Sequence, residues 1–488
     1  MPHFLLQVYI LVEKQGPRRG GEPRRKKMPR SYGPLRPKPE LLARRSPAEL
    51  SELFAPWIAL PPRFGNPQRN RLFTPSITFW LLLAQVLSKD WSCRETVRKF
   101  LAWLAAERGE TASPQTAAYC KARAKLNPEE LAQAHRRVTE KIEAQAAATR
   151  WCGRWVKVAD GSSVSMPDTP QNQKAWPQPQ KQKPGCGFPV MRIVAIFSLA
   201  SGALLELAWG ALAIHERTLW RRLWPTLQRG EVVLADRGFC GYANFFLLAR
   251  QGVDCVMRKH QRRKNAAVVK RLGPNDRLVL WRKTGACPKW LEEQTWREMP
   301  ETLIVREIKI QVGIPGFRTQ TIFLATTLLD PAAFPAHAFA DLYRRRWMAE
   351  LFLRDLKTTM AMDVLRCKTP KMIETELWMH LIAYNLVRAL ALEAALACGL
   401  AYERLSLKGT ISTVRQWAPL LAQPTWEAKA RQQLYQIMLS YLARDPLPRR
   451  SNRVEPRARK RRPKNYPLLN RPREIFREIQ HRNKYRKA

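Results

Sequence analysis

The 488-residue sequence is short of acidic side chains: 40 Asp and Glu stand against 85 Lys and Arg, a formal net charge of +45. So lopsided a balance argues against a cationic partner and for a polyanion, nucleic acid first. No run of 18 or more uncharged apolar residues is present either. The nearest, Trp378 to Leu400, is interrupted by His380, Asn385, Arg388 and Glu393, so it reads as a buried helix and no membrane partner is expected. The nine cysteines include no Cys-x2-Cys pair and no Cys/His spacing, which argues against a zinc site and a disulfide framework and fits reduced thiols in a cytosol. The opening "MPHFLLQVYILVEKQ" has no basic residue ahead of its short apolar run and no small-residue cleavage motif. No secretory signal is therefore expected, and Met28 is an alternative start to Met1.

What is present divides the chain into six stretches. Residues 1–40 are basic and rich in Pro and Gly, the composition of a disordered arm. Residues 41–150 read as helices: "SPAE" and "SCRE" are capping boxes, and Asn127 precedes Pro128 as N-cap and first helical residue. This all-helical N-terminal domain is a candidate for docking on DNA. From Trp151 the pattern turns to alternation in "RWVKVAD", two apolar strands joined at Ser201 and Gly202, a continuous strand "VVLA", then helix and strand up to Arg258. Residues 259–335 read as a β-rich insertion, 336–445 as helices again, and 446–488 as a basic tail. The class is α/β, with a mixed sheet as its core.

Two aspartates follow strand-like runs: Asp160 before Gly161, and Asp236 before Arg237 and Gly238. Taken singly, Asp before Gly is as well explained by a turn. Strand ends in open α/β sheets are nevertheless where ligands gather, and a carboxylate there projects from a rigid element. A third acid comes from "DLYRRRWMAELFLRDLK", residues 341–357. At about 100° per residue, Tyr343, Arg346, Glu350 and Lys357 fall on one polar stripe, while Leu342, Ala349, Phe352, Leu353, Leu356 and Met360 form an apolar face beside it. A stripe of this kind is ordinarily a solvated edge. Joined to Asp160 and Asp236, however, Glu350 completes a trio of hard oxygen ligands suited to Mg2+, with Mn2+ as a substitute. Two such ions can activate a nucleophile and steady the leaving oxygen of a phosphodiester.

Taken together, "DGSSVSMPDTP", "LADRGF" and the spacing Tyr-x2-Arg-x3-Glu-x6-Lys resemble the DDE transposases of bacterial insertion sequences, the IS-four group. The likeness extends from about Arg71 to the "RRPKNYPLLNRPR" of the tail. It implies a ribonuclease-H-like core interrupted by the β insertion, with Asp160, Asp236 and Glu350 as catalytic and metal-holding triad. It further implies Tyr343, Arg346 and Lys357 on the phosphates of a cut element end; Arg237 is a further DNA-contact candidate. The implied partner is double-stranded DNA, both element ends and target, bound by a homodimer in the bacterial cytoplasm at the nucleoid. Trp281, Trp290 and Trp296 are candidates for stacking a flipped base, though core packing accounts for each as well. His215 and His380 read as satisfied structural residues.

Three rival readings remain open. One is a metal-dependent nuclease without strand transfer; a second is a former transposase or packaging protein that only binds DNA. A tyrosine recombinase would use Tyr343 as nucleophile but leave the acidic trio without work. Common to all is phosphate contact, so log affinity for duplex DNA should fall linearly with log salt. Titration between about 50 and 200 mM salt should weaken binding about a thousandfold or more if six or more phosphates are neutralised.

Overall fold

Valine and isoleucine crowd the segments that pair as strands, since branched side chains suit a pleated surface buried on both faces. The computed structural model describes residues 48–60, 64, 72–109, 111–146, 150–263, 266–312, 320–423 and 425–448, with 469, 471 and 472. The expected basic arm, the "SPAE" cap and nearly all of the basic tail lie outside these residues.

Among the described residues five helices come first: α1 (Ala48–Phe54), α2 (Pro75–Leu87), α3 (Cys93–Arg108), α4 (Ala117–Arg123) and α5 (Pro128–Gln145). Two starts follow the expected chemistry. The Glu95 amide donates to the Ser92 hydroxyl at 3.1 Å, and the Glu129 amide donates to the Asn127 side chain at 2.9 Å. Then come β1 (Val156–Ser165), α6 (Pro170–Ala175), β2 (Val190–Ser198), β3 (Leu204–Ala211), α7 (Glu216–Arg222), β4 (Val232–Ala235), α8 (Tyr242–Arg250) and β5 (Asp254–Arg258). They are followed by β6 (Ala267–Gly273), β7 (Asp276–Arg282), α9 (Glu293–Glu298), β8 (Thr302–Val312) and β9 (Gln320–Thr326). The chain resumes as α10 (Ala336–Arg345), α11 (Trp347–Arg354), a π turn over Asp355–Thr359, α12 (Pro370–Ala397), α13 (Leu407–Leu421) and α14 (Ala428–Arg444).

The described strands form one nine-stranded mixed sheet in the order β3-β2-β1-β4-β5-β9-β8-β7-β6. β1, β4 and β5 are parallel, whereas β2, β3 and β9 run antiparallel to their neighbours. The first five strands, in the order 3-2-1-4-5, fit the ribonuclease-H-like core. The stretch read as a β-rich insertion does not stand apart as a second sheet: β9 pairs with β5 and carries β8, β7 and β6 outward.

Alternation assigns the two faces. Val156, Val158, Val232 and Leu234 belong to the larger core, with α2, α5, α11 and α12. Ala159, Val233 and Ala235 belong to the opposite core, under α7 and α8. The larger core runs unbroken from Leu83 in α2 and Val138 in α5 to Leu386 in α12 and Leu439 in α14. The N-terminal helices thus share their interior with the C-terminal ones. Of the described helices α12 alone is long and apolar enough to cross a membrane, but 89% of its apolar window is buried in this fold.

Buried polar side chains fix α12 against the sheet. The Asn385 amide accepts from the Leu204 backbone at 2.9 Å and donates to the Leu204 carbonyl at 2.8 Å, clamping the start of β3. The turn between β2 and β3 brings Gly202 to φ 72°, and its carbonyl accepts from the Tyr384 hydroxyl at 2.8 Å. His380 differs from expectation: buried and stacked 4.9 Å from Trp91, it finds no hydrogen-bond partner among the described residues on either ring nitrogen, and burial holds it neutral, with its pKa lowered to about 3.

A second anchor sits in β8. Arg306, fully buried, makes two hydrogen bonds to the Asp276 carboxylate, at 2.9 and 2.5 Å, and donates to the carbonyl of Phe334 at 2.8 Å just ahead of α10. Removing one partner of a buried ion pair leaves an uncompensated charge. Arg306→Met should therefore lower stability by about 3 to 5 kcal/mol, read as a loss of denaturant midpoint against the parent chain.

Candidate active site

Asp160 and Asp236 are brought together by strand register. β1 and β4 are parallel neighbours with Val158 opposite Leu234, so each aspartate lies two residues beyond a matched pair. Adjacent strands are about 4.8 Å apart, and both aspartates have the parity of the face covered by α11. Asp160 departs from the strand end expected for it. β1 continues through Gly161 to Ser165 along β2, so its Asp-Gly step is no turn; only the pairing with β4 has ended. Asp236 caps a single 3-10 turn over Arg237–Phe239 without spending its side chain on the cap. Next in line, Ala235 pairs with Met257, which places Arg258 beside Asp236 at the end of β5.

The acidic helix comes from the opposite side. Leu342, Ala349, Phe352, Leu353, Leu356 and Met360 are all buried, as the apolar face required, and leave Tyr343, Arg346, Glu350 and Lys357 half-buried at its rim. The stretch expected as one helix is subdivided at two points. At Arg346 the hydrogen bonding tightens, its amide donating to Tyr343 at 3.2 Å, and at Asp355 it widens into the π turn. The π turn contains Lys357, whose ammonium donates to the Ser162 hydroxyl on β1 at 2.9 Å. Behind it, Arg388 of α12 pairs with Asp355 at 3.3 Å and ties the turn to the core.

Arg346 lies at the electrostatic centre. Its guanidinium donates to Glu350 at 2.9 Å and feels the charges of both Asp236 and Asp160. Burial pushes the Asp160 carboxyl up to about 6; the Gly161 amide, donating at 2.9 Å, and Arg346 pull it down, while Glu350 and Glu216 push it further up. Tyr343 is pushed up to about 12, chiefly by burial, so its hydroxyl stays protonated at neutral pH. Among the described residues no three His, Cys, Asp or Glu are gathered as a ready ligand group. The carboxylate donor set nonetheless suits a hard divalent cation, because mutual repulsion of these acids is what a cation would relieve.

Beside the acids lies a basic cavity of about 570 Å3, lined among others by Arg217, Arg262, Arg263, Arg282, His260 and Trp281. Arg263 stacks over Trp281 at 4.3 Å, and Arg217 donates to the Gly238 carbonyl at 2.6 Å, linking the cavity to the loop after Asp236. Arg237 reaches the same side, donating to Gln261 at 3.0 Å. Of the three tryptophans, Trp281 is fully buried with its ring N–H on Glu307, Trp290 lies under Arg221, and Trp296 sits beside Lys283. Sequence reasoning missed Ser162, Glu216 and Arg217. The signal for the last two is "AIHER", an acid just beyond a strand, where His215 serves as the N-cap of α7.

The chain is similar to known transposases. The family model for the transposase DDE domain matches residues 151–386, a span that holds Asp160, Asp236, Arg237, Tyr343, Arg346, Glu350 and Lys357. The transposase InsG for insertion sequence element IS4 of Escherichia coli (strain K12) is 26% identical over 326 residues, 66% of this chain and 70% of its own length. A cryo-EM structure of the piggyBac transposase synaptic complex with hairpin DNA aligns at 9% identity, over 85% of this chain and 84% of that one, with a TM-score of 0.38. Because Arg346 is the counter-charge for the acids, Arg346→Met should raise the Asp160 pKa above about 6. A carboxyl carbon titration of the metal-free protein by NMR checks this; an unchanged midpoint would show that Arg346 does not hold the acids in check.

Proposed function

Because the chain is a DDE transposase of the IS4 group, we propose that Asp160, Asp236 and Glu350 are its catalytic acids and act on double-stranded DNA at the element's ends. The observation that supports this most is the matched register of Asp160 and Asp236 on β1 and β4, faced by a helix whose Arg346 bonds Glu350 and feels the charge of both aspartates. Asp160, Asp236 and Glu350 would hold Mg2+ or Mn2+. Such ions supply the Lewis acidity that activates a nucleophile and stabilises a leaving oxygen.

The chain's own side chains do the rest. The Arg346 guanidinium, which donates to Glu350, is a planar fork suited to gripping a phosphate by two hydrogen bonds. Lys357, parked on Ser162 beside Asp160, offers a point charge for the next phosphate. Tyr343, kept protonated, serves as hydrogen-bond donor rather than as nucleophile, which favours direct transfer over a phosphotyrosine link. Arg237 and the arginines of the basic cavity extend the phosphate track. In the first step water attacks the phosphorus at the element end, the bond to the 3′ oxygen breaks, and that oxygen leaves as a hydroxyl. In the second, this hydroxyl attacks a target phosphodiester and displaces the target's own 3′ oxygen. The helical N-terminal segment and the basic tail add DNA contacts, two protomers pair the two ends, and the work is done on cytoplasmic DNA.

Asp160→Asn should leave binding to end-bearing DNA within about twofold and lower cleavage by about a thousandfold or more, as expected when a group used only in the transition state is removed. Cleavage and joining to a target plasmid, assayed together with and without Mg2+, separate a transposase from a plain nuclease. Full cleavage by the variant would overturn the assignment.

A further inference from the structure

We propose that Ser162 is a positioning residue of the cutting reaction, an inference that rests on the reading of Lys357 as a phosphate ligand. Its hydroxyl fixes the Lys357 ammonium near Asp160 and leaves the charge free for a phosphate. One face of β1 reads Val156, Val158, Asp160, Ser162 and Val164, and the three valines belong to the larger core. Two adjacent positions break that apolar series. One carries the first aspartate; the other lies about 6.6 Å further along the same face and accepts from Lys357 at 2.9 Å.

The backbone around the π turn is held by other means. The Asp363 amide donates to the Lys357 carbonyl at 3.2 Å, the Ser165 amide to the Asp363 carbonyl at 2.9 Å, and the Leu365 amide to the Ser165 carbonyl at 2.9 Å. The far end of β1 thus ties down the chain that follows the turn, with no help from the Ser162 hydroxyl. What the hydroxyl adds is the direction of one long, half-buried side chain. A lysine stem is flexible, and a stem already aimed spends less entropy on meeting its phosphate. The choice of partner matters as well. Arg346 is bonded to a carboxylate, which offsets its charge, whereas Ser162 is neutral and no carboxylate pairs with Lys357 among the described residues. An ammonium has three donors, so one bond to Ser162 leaves two for phosphate oxygens.

The test compares single-turnover cleavage of end-bearing duplex DNA in Mg2+, DNA affinity and melting temperature for S162A, S162T, K357A, the double variant S162A/K357A and, as a control on the backbone clamp, S165A. S162A should slow cleavage by about tenfold to a hundredfold, the scale of a misplaced contact, with affinity within about threefold and melting unchanged. S162T keeps the hydroxyl and should restore most of the rate, and S165A should cut like the parent. K357A should lose at least as much as S162A, and adding S162A to it should cost nothing further, because the serine acts through the lysine. Parent-rate cutting by S162A beside slow cutting by K357A would overturn the role of Ser162 and leave Lys357 in place. Parent rates in both would instead overturn the phosphate reading of Lys357. A full further loss on top of K357A would show that Ser162 does not act through the lysine, and a melting loss in S162A that S162T leaves unrepaired would make it a structural residue; either result overturns the proposal.

Discussion

Like charges held close in a half-buried place repel, and the architecture around Asp160 is organised by that fact. The two sheet aspartates cannot separate, because parallel pairing of β1 and β4 sets their spacing. Glu350 comes on a helix buried along its other side, which leaves it no freedom to withdraw. The protein answers with one guanidinium, Arg346, on the same helix as Glu350 and one turn before it. In the proposed function the same guanidinium would serve a phosphate as well as the acids.

Rigidity behind the helix is supplied by buried arginines. Arg388 fastens the π turn through Asp355, and Arg306 fastens the lead into α10 by carbonyl contacts and a carboxylate partner. Neither touches the reacting groups. Each costs desolvation that a hydrophobic pair would not, and each fixes an orientation that a hydrophobic pair would leave free.

Much of this was legible in the sequence. The capping signals of Ser92 and Asn127, the strands around Ser201 and Gly202, and the apolar face of the 341–357 helix follow from local chemistry and periodicity, and the structure has them. Local rules failed where long-range pairing decides. Asp-Gly at 160 and 161 signals a turn, yet β2 supplies partners across it and the strand runs on. The β-rich stretch at 259–335 carries no mark of its partner in one dimension; β9 adds to β5 and extends the same sheet. The π turn has no periodic signature, so Lys357 is displaced from the phase that 100° per residue assigns to it. Glu216 escaped because its neighbour in space, Gly161, is distant in sequence.

The shared interior of the first and last helices sets the order of events on the ribosome. α2 and α5 emerge early, but much of the apolar surface they bury is supplied by α12, made after the whole sheet. Nascent chains ordinarily fold domain by domain from the start of synthesis. Here the opening helices keep part of their apolar surface uncovered until α12 has been made.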